Sequence, residues 1–147
     1  MITMKFIVRK AEEKDLSLIE SLYEEKREYP HSTFGREKRD AFRQMLSDSQ
    51  CHIFAGERNG IVSAFLSMRI ERRFENFMKP SAIISDIKVS DNDAEILCAI
   101  LSRAIAVAME NECCEITLYD KKVKAEANSV YSICGFRESN TFYSKKL

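Results

Sequence analysis

The five cysteines, at 51, 98, 113, 114 and 134, and the two histidines, His31 and His52, are the first residues to weigh for nucleophilic or metal chemistry. Their spacing argues for neither. No two cysteines make a CxxC pair and the count is odd. Cys113 and Cys114 are adjacent, too close for an ordinary bridge or for two unstrained zinc ligands. They read as buried or surface thiols in a reducing cytoplasm, with no metal centre. His31 falls in an irregular stretch and is placed to line a groove, whereas His52 begins a strand and reads as structural. Two charged groupings remain. Asp93 and Glu95 fall in the first turn of an expected helix, where acidic side chains stabilise the helix by about 0.3–1 kcal/mol each. Lys121, Lys122 and Lys124 form a basic run after an expected strand. It reads as a solvated face or as point charges that meet phosphate.

The elements that must position these groups follow from periodicity. Phe6-Ile7-Val8 reads as a strand and Leu16, Ile19, Leu22 and Tyr23 as one face of a helix, with Asp15 as its expected cap. Tyr29 to Gly35 breaks that helix, and a second follows with Phe42, Met45 and Leu46 on one face. Residues 51–55 and 61–70 read as strands joined through Asn59-Gly60, a strong hairpin signal. Residues 72–80 read as a polar loop carrying exposed Phe74 and Phe77, and 81–89 as a third long strand. Asn92 with Glu95 fits a capping box that opens a helix bearing Ile96, Leu97, Ile100, Leu101, Ala104, Ala108 and Met109. Residues 115–119 read as a strand, 125–133 as a helix stopped by Gly135, and 136–147 as strand-like. A helix crossing between strands 81–89 and 115–119 predicts that these two run parallel.

At 147 residues and 17.0 kDa the chain reads as one domain, 1–147, without internal repeats. Lys and Arg total 23, as do Asp and Glu, so no bulk charge draws the chain to nucleic acid or anionic membrane. No apolar run approaches the length of about 18 residues that a membrane span needs, and the first residues carry charge too early for a signal peptide. The expected setting is the cytoplasm, with neither nucleic acid nor membrane as a partner.

The order of elements and several segments resemble the GNAT superfamily of N-acetyltransferases over nearly the whole chain. The segment from Ile7 to Leu16 is similar to that family's start, Ile53 to Leu66 to its second and third strands, and Ser85-Asp86-Ile87-Lys88-Val89 to its fourth. The strongest likeness is Ala127-Asn128-Ser129-Val130-Tyr131-Ser132-Ile133-Cys134-Gly135-Phe136. The resemblance implies the acyl-CoA N-acyltransferase fold: an α/β (by some schemes α+β) arrangement with a mixed, mostly antiparallel twisted sheet flanked by helices. It also implies transfer of an acetyl group from acetyl-CoA to a primary amine of a small molecule or peptide, and a possible homodimer. Carried over position by position, backbone at Ile87, Lys88 and Val89 holds the acyl carbonyl and Tyr131 is the proton donor at the sulfur. Asp86 is the candidate base acting through water. The loops 29–34 and 69–77 would flank the acceptor groove, where Arg69, Arg72 and Arg73 either favour an anionic acceptor or are solvated.

The resemblance weakens after the fourth strand. The family places an Arg/Gln-x-x-Gly-x-Gly/Ala stretch there, whose backbone amides and helix N-terminus hold the diphosphate of the cofactor. This chain has Asn92-Asp93-Ala94-Glu95-Ile96-Leu97, without glycine or arginine, and the loop is about two residues short. The cofactor-contacting positions that carry over are Asn92, Asp93, Ala94, Glu95, Ile96, Lys124 and Asn128, with the lysines of 121–124 as a compensating phosphate contact. The acidic, glycine-free segment also motivates a second reading, a GNAT-like binding or regulatory module without acetyl transfer.

Overall fold

Cys51–Arg58 (β2) and Ile61–Arg72 (β3) pair antiparallel, closing on the pair Arg58 and Ile61. Between them Asn59 and Gly60 have φ of 53° and 81°. A two-residue type I′ turn needs both centres in this left-handed region, which Asn and Gly reach at low cost. This is a computed structural model, and it describes residues 6–23, 35–119, 125–138 and 145–147, with the side chains of Asn92 and residues 125–128 set aside.

Phe6–Lys10 (β1) pairs antiparallel with the free edge of β2, and Pro80–Val89 (β4) pairs antiparallel with β3. Ile116–Leu118 (β5) lies parallel to β4, as the crossover helix Ala94–Glu110 (α3) requires. The five strands run in the order β1-β2-β3-β4-β5. The remaining helices are Leu16–Ser21 (α1), Gly35–Ser47 (α2) and Ala125–Ile133 (α4). The mixed, mostly antiparallel sheet with flanking helices is the architecture that the family resemblance implied.

Strand alternation divides the core between two faces. Phe54, Ala64, Leu66, Met68, Ala82 and Ile84 meet Ile96, Leu97, Ile100, Leu101, Ala104, Val107 and Ala108 of α3, with Val130 and Tyr131 of α4. On the other face Ile53, Ala55, Val62 and Phe65 meet Ile19 of α1 and Phe42 of α2. Leu66, Met68, Ile84, Ile96, Ile100 and Leu101 have no exposed surface. The helix α4 ends as Gly135 predicts: Gly135 has φ 92°, its N–H donates to Ser132 O at 3.0 Å, and Phe136 N–H donates to Tyr131 O at 2.9 Å. That double bond pattern is a Schellman stop. Phe74 and Phe77 are each 89% exposed in the turn between β3 and β4.

Two expected caps are corrected. Asp15 does sit at the start of α1 but makes no side-chain cap there. It is 2% exposed, accepts the Glu12 N–H at 2.7 Å and takes two bonds from Arg9 at 2.7 and 2.8 Å. A buried carboxylate needs a charged partner more than it needs a helix end. The box of Asn92 with Glu95 does not form either, because the N-cap of α3 is Asp93, whose side chain accepts from Ile96 N–H. The expected strand over 136–147 lies mostly outside the described residues. All five cysteines are free thiols, and among the described residues no helix is long and apolar enough to cross a membrane.

Candidate functional site

The site begins where β4 and β5 part. β5 accompanies β4 only along Ala82, Ile83 and Ile84, and the Tyr119 N–H donates to Ile84 O at 3.1 Å. Beyond Ile84 no described strand pairs with that edge of β4, which continues through Ile87, Lys88 and Val89. A bulge lies at the same place. Ser67 opposes Asp86 and Met68 opposes Ile84, so Ser85 is an extra residue in β4. Bulges re-aim the side chains that follow them, and here the residues that follow are Asp86 to Val89.

The two expected catalytic residues lie on opposite faces of the sheet. Asp86 is opposite Ser67, and Lys88 is opposite Phe65, so both belong to the face that α1 and α2 cover. Asp86 is exposed and its carboxylate has the Ser85 hydroxyl 3.4 Å away. Tyr131 is 7% exposed on the face of α3 and α4, its ring edge-on to Phe136 with centroids 6.4 Å apart. The pair is thus not one hydrogen-bonded unit but two groups on opposite faces of the sheet.

Beside Asp86 stands Tyr23, which the sequence offered only as a core position of a helix. Its ring packs edge-on against Phe65 at 6.1 Å, and the Lys88 ammonium lies 5.5 Å from the ring centroid. Burial, and after it the Asp86 carboxylate, pushes the Tyr23 phenol well above its ordinary range. Tyr23, Asp86 and Lys88 therefore form a polar group on the α1 side of the parting. No local signal marks it, since Tyr23 and Asp86 are far apart in the chain. His52 lies on the opposite strand face from Asp86, and burial, then Lys10, holds its pKa below the usual value.

The second half of the site is the N-terminus of α3. Val89 leads into a 3-10 turn, Ser90–Asn92, with Asp91 left-handed at φ 52°. Asp93 then caps the helix, Oδ1 accepting the Ile96 N–H at 3.3 Å. The same carboxylate is gripped by Arg58 at the end of β2. Arg58 Nε donates to Oδ2 at 2.7 Å and Nη2 to Oδ1 at 3.0 Å, with Glu95 Oε2 3.5 Å from Nη2. The guanidinium also stands 5.5 Å from the centroid of the Phe6 ring. Gly56 explains how α3 comes so close. A Cβ at Gly56 would stand 3.0 Å from Ile96 Cδ1 and 3.1 Å from Ala64 Cβ. Phe54, Gly56 and Arg58 alternate onto the face that α3 covers, which carries Arg58 to the helix mouth.

A coenzyme A ligand would meet two different conditions here. Its amide-bearing arm would need an extended edge with backbone groups to offer, and β4 beyond Ile84 is an edge that no described strand pairs with. Its diphosphate does not fit the α3 N-terminus in this geometry. The Ile96 amide is already taken by Asp93, Glu95 stands next to it, and Arg58 is engaged. A carboxylate about 5 Å from a phosphate charge costs roughly 1 kcal/mol in water and about 3 at an effective dielectric of 20. Of the other expected cofactor positions, Ala94 opens α3 and Ile96 is fully buried. Lys121, Lys122 and Lys124 and the loop 29–34 lie outside the described residues, as do the side chains of Asn92 and Asn128.

No family model and no curated protein sequence matches this chain. Solved structures do. Glucosamine-6-phosphate N-acetyltransferase from Arabidopsis thaliana superposes with a TM-score of 0.78 at 21% identity, over 97% of this chain and 98% of that one. A predicted acetyltransferase from Clostridium acetobutylicum, solved with acetyl-CoA, gives 0.72 at 18% identity, over 97% and 96% of the two chains. A transcriptional regulator from Bacillus halodurans C-125 gives 0.79 at 18% identity, over 97% of this chain and all (100%) of that one. The chain has the GNAT acetyltransferase fold.

Proposed function

We propose that this chain is an acetyltransferase of the GNAT kind that moves an acetyl group from acetyl-CoA to a primary amine of a small molecule or peptide. The observation that supports the reading is the parting of β4 from β5 after Ile84, beyond which no described strand pairs with that edge of β4. Acetyl-CoA supplies an activated acyl carbon to such a site. In this reading the backbone of Ile87, Lys88 and Val89 holds the acyl arm, and amide donors on that edge stabilise charge at the carbonyl oxygen. Asp86 takes the amine proton through water, and the Tyr131 hydroxyl is the proton donor on the opposite face. Holding the two reactants in line supplies most of the acceleration. Tyr23 and Lys88 border the acceptor side.

The reading is tested by thiol release from acetyl-CoA in the presence of small amines and lysine-bearing peptides. Acceptor-dependent release that falls at least tenfold in Tyr131→Phe, with CoA affinity retained, is the expected result. Release that is independent of every amine, or undiminished in Tyr131→Phe, removes the transfer activity or the role of that tyrosine respectively.

A second reading has its own support. The Arg58–Asp93 pair occupies the helix mouth where a diphosphate would lie, and this favours a binding or regulatory module of the same fold without acetyl transfer. It predicts that no acetyl-CoA binds the parent chain.

A further inference from the structure

We infer that Asp93 is a specificity-determining residue that weakens the hold of the α3 N-terminus on a diphosphate by occupying two of the groups that would grip one, Arg58 and the Ile96 amide. The inference deepens the acetyl-CoA reading above and rests on it for the location of the site. Three elements take part. From α3, the Ile96 N–H is bound to Asp93 Oδ1 at 3.3 Å. From β2, Arg58 is bound to both oxygens of the same carboxylate, at 2.7 and 3.0 Å. From β1, the Phe6 ring supports the guanidinium at 5.5 Å. Arg58 and Asp93 are 17% and 23% exposed in their side chains, so the pair lies at the rim of the mouth, half-buried.

A planar guanidinium beside a helix N-terminus is a good phosphate holder. In this chain the combination exists, yet the chain's own carboxylate fills it. Arg58 comes from a strand end and not from the loop after β4. It can therefore stand in for an arginine that the loop lacks only when Asp93 lets go. A diphosphate entering here has to displace one carboxylate from two donors and approach a second, Glu95, whose side chain is 74% exposed. Asp93 is thus an internal competitor of the ligand, and its removal tightens the grip of the mouth on a diphosphate.

The substitution that isolates this effect is Asp93→Ser. A serine hydroxyl still caps the Ile96 N–H, while Arg58 loses its two bonds to the Asp93 carboxylate. Full-length parent and variant are titrated with coenzyme A by calorimetry at two salt concentrations, after circular dichroism has established that both are folded. Asp93→Asn, which also retains a capping oxygen, serves if the serine variant does not fold. The expected result is at least tenfold tighter binding in the variant, a gain that shrinks as salt rises and is absent from Asp93→Ser/Arg58→Gln. Equal or weaker binding in the folded variant overturns the inference. A parent that binds with no gain on substitution leaves the acetyl-CoA reading standing and removes Asp93 as its gatekeeper. A variant that binds where the parent does not supports the gatekeeper and removes the acetyl-CoA reading for the parent. Binding by neither overturns both.

Discussion

Arg58 and Asp93 are 35 residues apart in the chain and meet fork to fork, Nε to Oδ2 at 2.7 Å and Nη2 to Oδ1 at 3.0 Å. The contact fastens the turn of the β2–β3 hairpin to the first turn of α3, and its carboxylate is also the helix cap. Asp93→Ala removes both roles. The expected loss is about 1–2 kcal/mol in urea denaturation, most of it the cap. Asp93→Ser keeps a capping oxygen, so its loss should be less than half as large. Equal losses would mean that the ion pair, and not the cap, carries the stability.

Asp15 gives the fold a pH dependence. Hydrogen bonds from Arg9 hold its carboxyl below the usual carboxylate range; burial opposes them, and the Glu12 amide adds to them. A depressed native pKa means stability that is fully present above the unfolded value of about 3.9 and is lost as pH falls through the native value. Asp15→Asn should be less stable than the parent by about 2–3 kcal/mol at neutral pH, because Arg9 then loses a partly buried partner. The gap between the two should narrow as pH drops below about 4. A gap that stays constant down to acid pH would contradict this account.

Gly56 sets the distance between α3 and the sheet. A methyl group there would meet Ile96 Cδ1 at 3.0 Å and Ala64 Cβ at 3.1 Å. Neither neighbour is free to retreat, since both are fully buried. Gly56→Ala should cost about 1–3 kcal/mol through overpacking and speed amide exchange at Ile96 and Leu97. Parent-like stability would show that the first turn of α3 slides without penalty.

Tyr23 reports on Asp86. The carboxylate raises the phenol pKa as the second cause after burial. In Asp86→Asn the Tyr23 titration should therefore move down and still lie above the ordinary tyrosine value, because burial remains. Ultraviolet pH titration, with Tyr23→Phe as the blank, measures this. No movement would separate Tyr23 from the acceptor side of the site.

Those features that depend on neighbours in the chain were legible in the sequence. Asn59-Gly60 forces its turn through two left-handed residues, Gly135 stops α4 by its own φ, and a crossover of helix length makes β4 and β5 parallel. What escaped depends on residues far apart. The α3 cap shifted from Asn92 to Asp93 because Arg58 arrives from β2 to hold the latter. Asp15 stands at the start of α1, but its carboxylate does not cap the helix because Arg9 in β1 offers it two bonds. Tyr23 joined the site because β4, with its extra residue at Ser85, turns Asp86 toward α1. For Arg58 a signal did exist: alternation from Phe54 through Gly56 places it on the α3 face, but only once α3 is known to cover that face.

The central claim is that the parting of β4 and β5 is an acyl-donor site. Its most direct test is calorimetric titration of the full chain with acetyl-CoA at moderate salt. The account predicts saturable one-to-one binding in the parent. No saturable heat up to millimolar acetyl-CoA would contradict it, and the chain would then carry an acetyltransferase fold without the donor.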